Sequence, residues 1–127
     1  MQSDNGGQNN RYLLEAIRAI AEEYDIGTCG QCATAIKSYL KIQNIPYKHI
    51  RVETFSPQGL QGVIYDDGKN IQIATNGFHE GILLEIGGIE MVFDNLYPEG
   101  KPWGPWFQDL VVIPGNRLTV IIKEQLE

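Results

Sequence analysis

The sequence predicts an α+β fold, with N-terminal helices packed on an antiparallel β-sheet. Three observations carry this. Apolar residues recur at helical spacing as far as Leu40. From Tyr47 onward they alternate or fall in short runs. Glycine and proline pairs then cut those runs at hairpin distances.

Met1 to Asn10 is rich in Gly, Asn, Gln and Ser and has no apolar period, so residues 1–10 are expected to form a disordered tail. Leu13, Ile17, Ile20 and Tyr24 trace one face of a helix over Arg11 to Tyr24. Asp25-Ile26-Gly27 stops it. A loop over Thr28 to Gly30 leads to a second helix beginning near Gln31, with Ala33, Ile36 and Leu40 as its stripe. Asn44 and Pro46 end that helix.

Tyr47 to Phe55 alternates as a strand, and Ser56 to Gly62 reads as a turn. Two short strands follow, Gly62 to Tyr65 and Asn70 to Ala74, joined by Asp66-Asp67-Gly68. Gly77 to Ile86 and Ile89 to Asn95 form a hairpin around Gly87-Gly88. Leu96 to Pro105 is a loop, Trp106 to Leu110 a short helical turn, and Leu118 to Lys123 a final strand. With 127 residues and neither repeat nor linker, 11–127 reads as one domain.

The formal net charge is −6, from 10 basic and 16 acidic residues, and no basic cluster exists to hold phosphates. Nucleic acid is therefore not an expected partner. No apolar run reaches the roughly 18 residues of a membrane span. MQSDNGGQNNRY lacks the basic and apolar regions of a signal peptide, so the chain as encoded is expected to be cytoplasmic.

The chemistry concentrates at the two cysteines, Cys29 and Cys32. A zinc site would need two further ligands at close spacing, and only His49 and His79 exist. A redox pair should follow a strand, whereas a helix precedes this one. The third reading is a nucleophile. Cys32 falls where the second helix starts, where unpaired amides and the helix dipole favour thiolate and can receive an oxyanion. Against this stands a plain buried cysteine among Ala33 and Ala35.

If Gly87 and Gly88 are the loop residues, Ile86 pairs with Ile89 and paired positions sum to 175. His79 and Asp94 are then diagonal neighbours on one face, opposite the apolar face of Ile82, Leu84 and Phe93. A carboxylate beside an imidazole fixes its tautomer, as a base partnering a thiol requires. His49, between Lys48 and Ile50 with no acidic partner implied, reads as a surface residue.

Two segments, GTCGQCATAIKSYL and GFHEGILLEIGGIEMVFDNLYPEG, together with the tryptophan segment after them, resemble the papain-like cysteine peptidase fold. The closer resemblance is to the papain fold toxin 2 domains of bacterial polymorphic toxins, over about Gly27 to Trp106. CGQCA is also similar to CGSCW around the papain cysteine and to GQCW in transglutaminases. The resemblance implies a papain-like core with Cys32 as nucleophile, His79 as base and Asp94 orienting it. No glutamine stands between Tyr24 and Gly30, where papain-type enzymes place an oxyanion donor, and Gln31 is the nearby alternative.

The expected function is a cysteine-dependent hydrolase or acyltransferase acting on amide or isopeptide bonds: a peptidase, a deamidase or a transglutaminase-like enzyme. It needs no metal and no organic cofactor. The resemblance further implies a toxin effector delivered to target cells, a protein or peptide substrate and an immunity protein. The rival reading is a non-catalytic binding module that keeps the fold and uses Tyr97, Trp103, Trp106 and Phe107 as its contact surface. For those aromatics the bland alternative is a core lid over the sheet edge.

Overall fold

A computed structural model describes residues 3–54 and 62–127. Two helices come first, α1 (Ser3–Ala21) and α2 (Cys29–Ile42). Strands β1 (Tyr47–Glu53), β2 (Ile64–Asp66), β3 (Ile71–Ala74), β4 (Phe78–Ile86) and β5 (Ile89–Phe93) follow. The chain ends with β6 (Lys101–Pro102), helix α3 (Trp103–Gln108), β7 (Leu110–Val112) and β8 (Thr119–Leu126). The strands make a five-stranded sheet ordered β6-β5-β4-β1-β8 and a three-stranded sheet ordered β3-β2-β7, with every pairing antiparallel. The α+β order with helices leading is as the sequence predicts.

The β4–β5 hairpin has the expected register. Ile86 faces Ile89 and Leu83 faces Val92. Gly87 and Gly88 both have positive φ, 59° and 84°, which a tight two-residue turn of the primed type requires. Ile82, Leu84 and Phe93 point to the helices and pack with Ile17, Ile36 and Leu40. The other face of the large sheet is also covered. Leu83, Val92, Ile50 and Val52 pack there with Ile64 and Ile73 of the small sheet and with Trp106. Strands buried on both faces hide the simple alternation from the sequence.

Several boundaries differ from expectation. Helix α1 reaches back to Ser3, so the tail expected over 1–10 is helical backbone from that residue. Once the Leu13–Ile17–Ile20 face has nucleated a helix, extending it costs little per residue. Helix α2 starts two residues before Gln31, at Cys29, with Thr28 as its N-cap. It ends as expected: Asn44 takes a left-handed φ of 61° and Ile45 N–H bonds back to Leu40 O. Helix α3 begins at Trp103, inside the expected loop, and β6 and β7 carry no alternating pattern long enough to announce them. Phe55 and most of the turn expected over 56–62 lie outside the described residues.

Candidate active site

His79, near the start of β4, and Asp94, just past β5, meet as the hairpin register requires. His79 Nε2 lies 2.8 Å from Asp94 Oδ2, and each residue is 1% exposed. The carboxylate is fully occupied. Oδ2 also accepts the indole N–H of Trp106 at 2.9 Å, and Oδ1 accepts the backbone N–H groups of Leu96 and Tyr97 at 3.0 and 2.7 Å. Asp94 is thus both an Asx turn residue and the partner of His79. Burial alone would raise its carboxyl, but the bonds from His79, Trp106 and the Tyr97 amide outweigh that and lower it.

Trp106 also stacks on the His79 ring, 5.9 Å between centroids, and Trp103 and Phe107 extend the stack. These aromatics belong to the core on that face, so the core-lid reading describes them. The space left by Gly81 is filled from this side. A Cβ there would meet Val92 Cγ1 at 2.8 Å and Trp106 Cζ2 at 3.5 Å.

With Nε2 bound to Asp94, Nδ1 is the free nitrogen of His79, buried and without a partner in full hydrogen-bond geometry. The Cys29 thiol is near enough to this ring to act on its titration. Burial would lower the imidazole pKa, but hydrogen bonding to Asp94 and to Cys29 pushes it up to about 9. A loose thiol–imidazole contact is usual in unliganded thiol enzymes.

Cys29, and not Cys32, holds the helix-start position expected of the nucleophile candidate. The helix starts at Cys29, so Cys29 stands in the first helical position. Cys29, 8% exposed, lines a cleft of about 670 Å³ with Gly27, Gly30, Gln31, Asn76 and Glu80. The N–H groups of Cys29, Gly30 and Gln31 precede the first intrahelical bond, which runs from Cys32 N–H to Thr28 O at 3.0 Å. Thr28 supplies no side-chain cap.

The same bond commits the Cys32 amide, so it cannot receive an oxyanion. The Cys32 side chain is fully buried in the helix-side core. Burial first, then the negative charges of Asp94 and Cys29, push its thiol up to about 12. A helix start two residues earlier than expected shifts the helix-start cysteine from Cys32 to Cys29, nearly one turn. Gln31 is exposed and lines the cleft beside Cys29.

His49 also departs from expectation. It is 1% exposed, with Nε2 2.7 Å from Glu80 Oε1 and Nδ1 3.1 Å from Lys37 Nζ. Lysine ammonium only donates, so Nδ1 accepts, and Nε2–H donates to Glu80. The one sequence cue for this partner was β4 itself: Glu80 follows His79, and so points to the opposite face. Among the described residues no group of three or more metal-ligating side chains converges. Nor is any of their helices long and apolar enough to cross a membrane.

Residues 12–111 match the papain fold toxin 2 family. The chain belongs to that family. Papain fold toxin 2 domains are toxin domains with a cysteine-peptidase-like fold, and the two leading helices with antiparallel sheets behind them suit it. A stretch of 93 residues is also 36% identical to a ribosomal RNA small subunit methyltransferase G from Cellvibrio japonicus (strain Ueda107). That stretch is 72% of this chain but 38% of the relative, so the chain spans well under half of that protein's length. No solved structure matches.

Proposed function

We propose that this papain fold toxin 2 domain is a thiol hydrolase or acyltransferase acting on amide or isopeptide bonds, with Cys29 as nucleophile, His79 as general base and acid, and Asp94 orienting His79. The observation that carries it is the grouping of a cleft-lining thiol at a helix N-terminus with an imidazole whose other nitrogen is held by a saturated carboxylate. In this reading His79 Nδ1 accepts the Cys29 proton and the sulfur attacks the carbonyl carbon. The free N–H groups at the start of α2, with Gln31 beside them, receive the developing oxyanion. His79 then protonates the leaving amine. Water or a second amine resolves the acyl-enzyme, giving hydrolysis, deamidation or transfer. A protein or peptide is the substrate that fits, and an immunity protein that covers the cleft is the partner that the toxin setting implies.

The test is thiol labelling with iodoacetamide at neutral pH, read by mass spectrometry. Cys29 is expected to react first and Cys32 only on unfolding. Cys29→Ala should abolish labelling and turnover, and Cys32→Ala should keep both. Preferential reaction at Cys32 would overturn the assignment.

A further inference from the structure

The cleft that holds Cys29 contains a second charged group with no part in that proton transfer. Glu80 is 3% exposed, yet it lines the cleft beside the start of α2, and a Cβ on Gly30 would lie 3.6 Å from its Oε1. Oε1 is engaged by His49 at 2.7 Å. Among the described residues Oε2 has two contacts, both long, Arg51 at 3.4 Å and Lys123 at 3.3 Å. Arg51 is committed elsewhere, paired with Glu53 at 2.6 Å and lying 3.8 Å over the Phe78 ring. Lys123 comes from the edge strand β8, and its side chain is 41% exposed. Its ammonium therefore enters the cleft from the solvent side. Ile26, Ile73, Ala74 and Phe78 give that cleft apolar walls.

We propose that this end of the cleft is a subsite for a long cationic side chain, lysine or arginine, of a polypeptide substrate, anchored on Glu80 Oε2. Lys123 is the resident occupant that the substrate displaces. The proposal deepens the thiol-enzyme reading, since it rests on Cys29 being where the substrate reacts. The apolar walls suit the methylene stem of such a side chain and the carboxylate suits its head. A carboxylate out of water attracts a cation more strongly than an exposed one. The contact it must replace is a long one, 3.3 Å, and its lysine is 41% exposed and so keeps its own access to water once displaced. The chain's net charge of −6 draws cationic partners toward it.

Two chloroacetamides test this, one with a 5-aminopentyl arm and one with a neutral 5-hydroxypentyl arm. Their rates of Cys29 alkylation are each divided by the iodoacetamide rate of the same variant. The cationic reagent is expected to react about tenfold faster than the neutral one, within the range that charge focusing gives. Lys123→Ala should widen the ratio and Glu80→Gln should bring it to one. If Glu80→Gln fails to fold, the Lys123→Ala ratio decides. Equal rates for both reagents in wild type and Lys123→Ala, with Cys29 still selectively alkylated by iodoacetamide, would overturn the subsite and leave the thiol reading standing. If iodoacetamide does not select Cys29, the thiol reading falls. The subsite is then judged by pentylamine against pentanol, through amide NMR shifts at Gly30 and Lys123. Shifts with the amine alone support it, and identical shifts with both overturn it.

Discussion

The protein contains two buried histidine–carboxylate pairs on opposite faces of β4, and they differ in what surrounds the second ring nitrogen. His79–Asp94 and His49–Glu80 have nearly the same separation, 2.8 and 2.7 Å, and all four residues are at most 3% exposed. The difference lies at the second ring nitrogen. In His49 it is filled by Lys37, which ties α2 to β1 and β4. In His79 it has no full partner and neighbours a thiol at the cleft. A histidine–carboxylate pair is therefore not a catalytic signature by itself. In the proposed mechanism the unfilled nitrogen is what would let His79 carry a proton, whereas His49, filled on both nitrogens, ties elements together.

The sharpest way to break this comparison is Asp94→Asn. An amide can hold the ring but favours the wrong tautomer, so turnover should fall by about 10⁴-fold, as for triads of this type. His49→Gln is the matching change on the other face. Turnover should stay within about tenfold, while equilibrium unfolding in urea should show a loss of about 3 kcal/mol, because Glu80 keeps a buried charge without its best partner. A catalytic collapse in His49→Gln with stability intact would reverse the two roles.

Trp106→Phe removes the indole N–H on Asp94 Oδ2 together with part of a fully buried ring system, and keeps a six-membered ring in the core. Losing a hydrogen bond to a charged group predicts about 2 kcal/mol of destabilisation, measurable by thermal unfolding.

The smallest expected effect is in pH. His79 has its pKa raised from 6.5 to about 9, so its stabilising contribution is complete below pH 6.5 and is lost as pH rises through 9. Glu80 is lowered from 4.5 to about 2, chiefly by the His49 hydrogen bond, so its contribution is present above 4.5 and is lost as pH falls through 2. Melting temperature should therefore fall by a few degrees on each side. His79→Ala should flatten the alkaline side and leave the acid side in place.

Much of this was legible in the residues. The Gly87-Gly88 turn fixed the register, and the register brought His79 to Asp94, because side chains alternate with a strict period of two. The choice between Cys29 and Cys32 was not legible. Thr28 and Gln31 stand at capping-box spacing, but Gly30 inside the first turn is a poor helix former, and helix starts read from sequence are uncertain by about two residues. Two residues are a little over half a helical turn, enough to exchange a cleft-lining first position for a core position. His49 was misread because its partners, Glu80 on β4 and Lys37 on α2, are distant in sequence and meet only through strand pairing and helix docking.

Local order set the fold class, the hairpin and the meeting of one imidazole with one carboxylate, because each depends on short-range periodicity and turn chemistry. Tertiary structure decided which sulfur faces that imidazole, which histidine is left with a free nitrogen, and how Glu80 comes to line the cleft. Those outcomes depend on how α2 seats on the sheet, and residues far apart in sequence jointly set that seating through burial and charge pairing.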